Sequence, residues 1–304
     1  MIADMGRRVS RLHGEGRHAE AESACRDILA LDPANPAARY ALALLLLSRG
    51  AWEEGWACYE ARTRLPELNI RKPAPSYPEW RGEPVGSLMV WAEQGLGDQI
   101  MFARWIPELV RRGVKVTFVC SPVLARLFSD LGAAISPAEG QISVPRHDAW
   151  ALVGSLPHLA GEWPPPVPLA SEPGGSGLGV MSKGRPAHPN DAERSMPEPF
   201  ASELLGLGRD LRPEVTGARD MEDTRRIVAG LAAVATVDTS VAHLAASMGK
   251  PVFLLTAHRP EWRWGRGEAR TPWYPSVEII RQPAPGDWRG AMDALASRLA
   301  SFRA

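Results

Sequence analysis

The sequence has little of several features that usually identify a class of protein. It contains three cysteines in 304 residues, Cys25, Cys58 and Cys120, too few and too far apart for a disulfide framework, which favours reduced thiols in the cytoplasm. Its 35 basic and 35 acidic residues cancel to zero formal charge, so no overall field attracts nucleic acid or an anionic membrane. No stretch resembles a signal peptide or approaches the roughly 18 apolar residues of a membrane span. We therefore expect a cytoplasmic protein that does not bind nucleic acid and has no membrane span.

The short motifs of several enzyme classes are also missing. There is no GxxxxGK[ST] phosphate loop, no GxSxG nucleophile elbow, no HExxH zinc motif and no CxxC pair. P-loop hydrolysis, esterase chemistry and zinc catalysis therefore lack the residues that they require. The composition, 45% hydrophobic and 23% charged, is typical of a folded globular protein, and the length predicts two or three domains.

The first sixty residues contain an internal repeat. GRHAEAESACRDIL and GAWEEGWACYEART align with a period of 34, and each copy follows a helix, glycine turn, helix pattern. This resembles the tetratricopeptide repeat, which uses stacked helix pairs to hold peptides. Arg39 stands where that repeat usually has an aromatic residue, and two copies are fewer than the roughly three expected for independent stability. The module is therefore expected to be stabilised by packing against the rest of the protein or against a second subunit in a homodimer. Its function as a peptide-binding module or as a plain helical spacer stays open.

After a proline-rich joint at Arg71–Gly86, the pattern alternates between strands and helices, which predicts parallel α/β layers. Strands are expected in SLMVWAEQ, VKVTFVC, LGVMSKG, AAVATV and PVFLL, and helices in GDQIMFARWIPELVRRG, PVLARLFSDLG, MEDTRRIVAGL, SVAHLAASM and DWRGAMDALASRLASF. A second stretch rich in proline and glycine, Pro157–Gly177, divides the pattern into two halves. The predicted domains are a helical module (1–70), a first α/β domain (71–165) and a second (166–304), with a ligand cleft between the last two.

A group of polar residues interrupts the second half at VDTSVAHLAASMGKPV. Asp238 and Thr239 follow a strand and precede a short helix that Gly249 ends. The free amides at the start of that helix favour a bound anion, with Ser240 beside them and His243 one turn further along. The alternative is that Asp238 caps the helix and His243 is a packed core residue.

Several longer segments together resemble one family. VDTSVAHLAASMGKPVFLL, PEWRWGR, TPWYPSVEIIRQPAPGDW and WAEQGLGDQIMFARWIPEL are similar to the bacterial glycosyltransferase-like proteins that follow tetratricopeptide repeats and are related to the heptosyltransferases of glycosyltransferase family nine. The resemblance implies an α plus α/β fold: repeat-like helical hairpins, then a GT-B fold of two Rossmann-like domains. It also implies a nucleotide-sugar donor, no metal or other cofactor, and in some relatives a protein acceptor.

The resemblance assigns roles to individual residues. Asp238, Thr239, Ser240 and His243 would hold the donor diphosphate, and Asp98, after the glycine turn of Gly95 and Gly97, would be the catalytic base. The alternative for Asp98 is a helix cap, which is compatible with catalysis. In SKGRPAHPNDAERSMP, Lys183, Arg185 or Arg194 would neutralise the leaving diphosphate, and His188, Asn190 and Asp191 would contact sugar or base; a solvated loop is the alternative.

Two further segments have less specific patterns. Trp262, Trp264 and Trp273 lie among arginines, and Trp262 is a candidate floor for the donor base, although such stacks more often lock a lobe together. Asp220, Asp223 and Thr224 match a segment of the relatives, where we favour a helix-start cap.

Together with the resemblance, these observations predict an inverting, metal-independent glycosyltransferase that uses a nucleotide-sugar donor and an acceptor protein recruited by the repeat. The alternative is a non-catalytic binding or scaffolding protein that keeps the fold.

Overall fold

The computed structural model of the chain describes residues 2–138, 142–161, 163–171, 174–186, 191–259 and 261–303. Its α-helices are α1 (Ile2–Gly14), α2 (His18–Leu31), α3 (Pro36–Ser48), α4 (Trp52–Tyr59), α5 (Leu96–Phe102), α6 (Trp105–Arg111), α7 (Pro122–Ala125), α8 (Leu156–Leu159), α9 (Asp191–Arg194), α10 (Phe200–Leu205), α11 (Pro213–Thr216), α12 (Met221–Ala229), α13 (Ser240–Ser247) and α14 (Trp288–Arg303). Short 3₁₀ helices cover Glu60–Arg64, Pro66–Leu68, Val153–Ser155 and Trp262–Trp264. Its strands are β1 (Ser87–Trp91), β2 (Lys115–Cys120), β3 (Ala134–Pro137), β4 (Ala149–Leu152), β5 (Leu178–Met181), β6 (Arg209–Asp210), β7 (Ala233–Val237), β8 (Val252–Thr256), β9 (Arg270–Thr271) and β10 (Tyr274–Arg281).

Helices α1 to α4 form the two predicted helical hairpins. Gly16 and Gly50, which the period of 34 pairs, both adopt positive φ angles, 76° and 81°, in the tight turns between helices, where other residues would be strained. The second hairpin begins at a true cap, because the Asn35 side chain accepts a hydrogen bond of 3.0 Å from the Ala38 amide. The repeat pattern was therefore sufficient to predict this part of the fold.

The first sheet is parallel throughout, in the order β3-β2-β1-β4. One long helix was expected after β1, and this prediction was wrong, because the chain forms α5 and α6 with a break at Ala103 and Arg104. Pro107 explains the break: it has no amide to donate to the Ala103 carbonyl, and its ring would clash with that carbonyl in a continuous helix.

The second sheet has the order β6-β5-β7-β8-β10-β9. Its pairs are parallel except β9 with β10, which are antiparallel. The strands after β8 were not expected from the sequence. The repeat followed by two mainly parallel sheets agrees with the predicted fold class, while the division into two Rossmann-like domains and its boundaries remain a prediction.

The helical module does not have a separate core. One cluster of buried side chains runs from α1 through α4 into the first sheet and on to α13 and β8. The two sheets also meet through polar contacts: Arg104 donates to the Trp273 carbonyl over 2.9 Å, and Arg126 pairs with Asp220 at 2.7 Å. The repeat therefore packs against the rest of its own chain, which is one of the two arrangements expected for so short an array.

Candidate functional site

The start of α13 has the geometry that the sequence predicted. Strand β7 ends at Val237, Thr239 is the extended residue before the helix (φ −143°, ψ 169°), and Gly249 ends the segment with φ of 71°. The Thr239 side chain does not cap the helix, since its hydroxyl lies 3.2 Å from the Thr236 hydroxyl. The amides of the first turn are therefore not satisfied by that side chain, as an anion site requires.

His243 is buried, with 4% of its surface exposed. Its Nδ1 lies 3.0 Å from the Tyr274 hydroxyl, and its ring centroid lies 5.2 Å from that of Trp264. Burial lowers the pKa of His243 to about 3, helped by the positive charges of Arg263 and Arg104. The imidazole is therefore neutral at pH 7, and if the Tyr274 hydroxyl donates to Nδ1, then Nε2 carries the proton.

The start of α5 meets the start of α13 across the two sheets. A Cβ atom added to Gly97 would stand 2.7 Å from His243 Cδ2 and 3.1 Å from Nε2, so the absence of a side chain permits this contact. The predicted glycine turn therefore has a specific use: it brings the first turn of α5 against the histidine of the proposed diphosphate site.

Asp98 forms a capping box at the start of α5. Its Oδ2 accepts a hydrogen bond of 3.1 Å from the amide of Gly95, the residue before the helix, so the predicted cap is present. Its Oδ1 accepts from the Arg263 guanidinium, which also pairs with Glu261 at 2.5 Å. The sequence reasoning missed Arg263 and Glu261, although the cluster of arginines and aromatics in PEWRWGR was the signal that could have found them.

Asp238 lies at the carboxyl end of β7, close to the same group of charges. Burial raises its pKa to about 6, and the negative charge of Glu261 adds to this effect. Arg194 Nη1 donates to the Asp238 carbonyl over 3.2 Å. The structure therefore places Arg194 beside the proposed diphosphate residues, and its role in neutralising the diphosphate remains a prediction.

Helix α9, which ends at Arg194, lies beside the end of β5, where the Met196 amide donates to the Ser182 carbonyl over 2.9 Å. The Ser195 hydroxyl donates to Asp191 Oδ1 over 2.7 Å and accepts from the Gly184 amide over 2.8 Å. Lys183 is half-exposed, with its Nζ 3.6 Å from Glu198, so it does not join Arg194 in this structure. His188 and Asn190 lie outside the described residues, and the sugar or base contacts expected of them and of Asp191 remain predictions.

Trp262 packs where the repeat meets the second sheet. Its ring centroid lies 5.6 Å from that of Trp56, 5.8 Å from Tyr59 and 5.8 Å from Trp273, and the Arg263 guanidinium lies 4.5 Å from it. This is the locking arrangement named as the alternative, and stacking of a donor base on Trp262 stays a prediction. Asp220 likewise takes the predicted cap role, accepting from the Asp223 amide over 2.9 Å.

Buried hydroxyls without a protein partner mark the same edge of the second sheet. Ser182 follows β5 and Thr256 ends β8, and neither hydroxyl has a hydrogen-bond partner among the residues that the structure describes. Buried hydroxyls are normally satisfied, and exceptions are frequent where a ligand or water completes the bonding. By contrast, two cavities of about 410 and 390 Å³ lie at the opposite edge, lined mainly by glycine, alanine and aliphatic residues. Of the described residues that line them, only Arg209 in one and Lys250 in the other are charged, so the polar edge is the better candidate site.

Among the described residues, no helix is both long enough and apolar enough to cross a membrane.

Comparisons with known proteins agree with the resemblance read from the sequence. Residues 12–61 match the family model of the tetratricopeptide repeat. Protein FlbA of Caulobacter vibrioides is 27% identical over 341 aligned positions, which cover 88% of this chain and 55% of FlbA. The chain therefore spans about half the length of this curated relative.

The similar solved structures include glycosyltransferases. The ADP-heptose lipopolysaccharide heptosyltransferase II of Escherichia coli is 11% identical with a TM-score of 0.48, over 72% of this chain and 100% of that one. A family 9 glycosyl transferase of Veillonella parvula is 9% identical with a TM-score of 0.47, over 74% and 91% of the two chains. At these identities and scores, the activity of those proteins does not carry over to this chain.

Proposed function

We propose that this chain is an inverting glycosyltransferase that moves a sugar from a nucleotide-sugar donor to an acceptor without a bound metal ion. We further propose that the acceptor is a protein recruited by the repeat module and that the reaction takes place in the cytoplasm. The reduced state expected there is consistent with Cys25, Cys58 and Cys120, which are all free and buried.

The observation that carries this proposal is the contact between Gly97 and His243. It brings the first turn of α5, with its carboxylate, against the first turn of α13, with its amides. An inverting transfer needs a base on one side of the anomeric carbon and a diphosphate site on the other. Two helix starts that meet from two sheets supply both kinds of group at one junction.

The proposed chemistry follows from these groups. Asp98 accepts the proton of the acceptor hydroxyl while that oxygen bonds to the anomeric carbon. The bond from this carbon to the diphosphate breaks on the opposite face, so the configuration inverts. The α13 amides, the neutral His243 and Arg194 stabilise the negative charge of the leaving diphosphate, with Lys183 available from the neighbouring loop. Fixed protein donors and cations thus supply the charge that a metal ion would otherwise provide.

The direct test is substitution of the proposed base. Asp98→Asn should abolish sugar transfer and leave the affinity for nucleoside diphosphates nearly unchanged, because the amide keeps the shape but accepts no proton. Asp293→Asn is the matched control, since Asp293 is 69% exposed on α14 and should behave as wild type. Full transfer activity in Asp98→Asn would remove the base assignment, and activity that EDTA abolishes would contradict metal independence.

A second function, a non-catalytic scaffold, is favoured by one observation. Asp98 is already engaged by Arg263 and by the Gly95 amide, so protein groups occupy two of the lone-pair positions at which a base would accept a proton. Thermal-shift measurements with ADP-, GDP- and UDP-sugars and the free diphosphates separate the two functions. Stabilisation by one donor supports the enzyme, and no response to any of them supports the scaffold.

A further inference from the structure

Arg263 is a buried cation placed between two carboxylates. Its side chain is 9% exposed, one terminal nitrogen contacts Asp98 Oδ1, and the other lies 2.5 Å from Glu261 Oε2. Removing a guanidinium from water is costly unless charged partners replace the lost hydration. Asp98 and Glu261 supply that replacement, and the planar fork of arginine can engage both at once, which a lysine ammonium does less well.

The pair joins two distant parts of the chain. Asp98 lies at the start of α5 beside the first sheet, whereas Arg263 belongs to the 3₁₀ helix Trp262–Trp264 that follows β8. The Asp98 carboxylate has about four lone-pair positions, and the Gly95 amide and Arg263 take two of them. These two contacts therefore fix the orientation of the Asp98 carboxylate and leave two lone-pair positions at which it can accept a proton.

The repeat module holds the segment on which Arg263 lies. Trp262 packs on Trp56 of α4 and on Tyr59, with centroid distances of 5.6 and 5.8 Å. Further along, Arg266 Nε donates to the Ser48 hydroxyl over 2.7 Å, and the same guanidinium contacts the Leu45 carbonyl at the end of α3. Contacts on both sides of Arg263 thus come from the repeat.

We propose that Arg263 is a positioning residue that holds the Asp98 carboxylate in a fixed orientation at the junction, and that the repeat module is part of the active-site architecture because it holds Arg263. This inference rests on the proposed function, since Asp98 is its base. The proton still passes from the acceptor hydroxyl to a free lone pair of Asp98, and Arg263 takes no part in bond making or breaking.

A double-mutant cycle on stability tests the pairing without any substrate. Asp98→Asn, Arg263→Gln and the double variant are unfolded with urea alongside wild type. The double variant should unfold at a urea midpoint close to that of the more sensitive single variant. Asp98→Asn takes from Arg263 one of its two carboxylates, Arg263→Gln takes from Asp98 its guanidinium, and the second change then has no Asp98–Arg263 contact left to remove. Arg289→Gln is the matched control: Arg289 forms an ion pair with Glu203 at 52% exposure, and its loss should change the midpoint little. Additive effects of Asp98→Asn and Arg263→Gln would overturn the proposal.

Kinetics separate positioning from a merely structural role. Both variants are assayed with the nucleotide sugar that wild type turns over. Arg263→Gln should lower kcat at least tenfold and leave KM for the donor within about twofold of the wild-type value. Arg263→Lys should recover part of the lost kcat. Loss of donor affinity with kcat unchanged, or no recovery by lysine, would contradict a positioning role. If wild type turns over none of the ADP-, GDP- and UDP-sugars, the proposed function fails, whereas the unfolding cycle still decides whether Arg263 and Asp98 are coupled.

Discussion

Replacement of Gly97 by alanine tests the junction on which the proposed function depends. The added Cβ would stand 2.7 Å from His243 Cδ2, closer than side-chain carbons approach one another. His243 cannot easily move away, because its ring is buried, bonded to the Tyr274 hydroxyl and packed on Trp264. Overpacking of a buried site costs about 1–3 kcal/mol. Alanine in a helix regains about 1 kcal/mol relative to glycine, so the expected net loss of stability is roughly 0–2 kcal/mol.

The same substitution elsewhere supplies the control. Gly6 lies inside α1, and a Cβ there would meet nothing within 4 Å, so Gly6→Ala should stabilise the protein by up to about 1 kcal/mol. Thermal and urea unfolding of both variants should therefore differ by roughly 2 kcal/mol, with Gly97→Ala the less stable. Gly97→Ala should also bind nucleoside diphosphates more weakly, because the α5 start must withdraw from His243. A Gly97→Ala protein as stable as Gly6→Ala, with unchanged nucleotide binding, would refute the close contact.

Three further predictions follow from buried charges. The pKa of His243 is lowered to about 3, so protonation of this residue opposes folding. The free energy of unfolding should therefore fall as pH drops from about 6.5 towards 3, by up to several kcal/mol. Urea unfolding measured across this pH range should show a smaller decrease in that free energy for His243→Gln than for wild type. The pKa of Asp238 is raised to about 6, so the free energy of unfolding changes with pH in the opposite direction. The stability that the protonated Asp238 contributes is present below about pH 4 and is lost as pH rises through 6. Asp238→Asn should therefore be more stable than wild type at pH 7.5 but not at pH 4. Arg62 pairs with Glu93 at 2.5 Å with both side chains buried; Arg62→Met should cost about 3–5 kcal/mol by leaving Glu93 unpaired, and calorimetry should show a smaller loss when Glu93→Leu is added.

Local chemistry explains why the start of α13 could be predicted from the sequence. Three local features restrict the backbone here: an apolar strand, the polar pair of Asp238 and Thr239, and a glycine eleven positions after Asp238. The pattern alone therefore fixes where the helix begins and ends. The cap at Asp98 is local in the same way, because the bond to the Gly95 amide spans three residues. Short-range patterns of this kind are contained in the sequence itself.

Long-range contacts could not be predicted in this way. Arg263 and Asp98 are 165 positions apart, and nothing in PEWRWGR indicates which of its arginines crosses to the first sheet. The break between α5 and α6 was missed for another reason: the apolar spacing continues through it, whereas Pro107 acts on the backbone. Strand β10 was missed because Pro275 and Glu278 interrupt its apolar pattern, although it pairs with both β8 and β9.

The contacts of the repeat also bear on what that module can bind. Tyr59, one of the positions that defines the period of 34, is fully buried against Trp262 and hydrogen-bonds Gln94 over 2.9 Å. Trp56, from the same helix, packs on Trp262 and Trp273. A peptide could reach these rings only by displacing the segment that carries Arg263. An acceptor protein recruited by the repeat must therefore either bind elsewhere on its helices or shift Arg263 as it binds, and in the second case recruitment would change the surroundings of Asp98 directly.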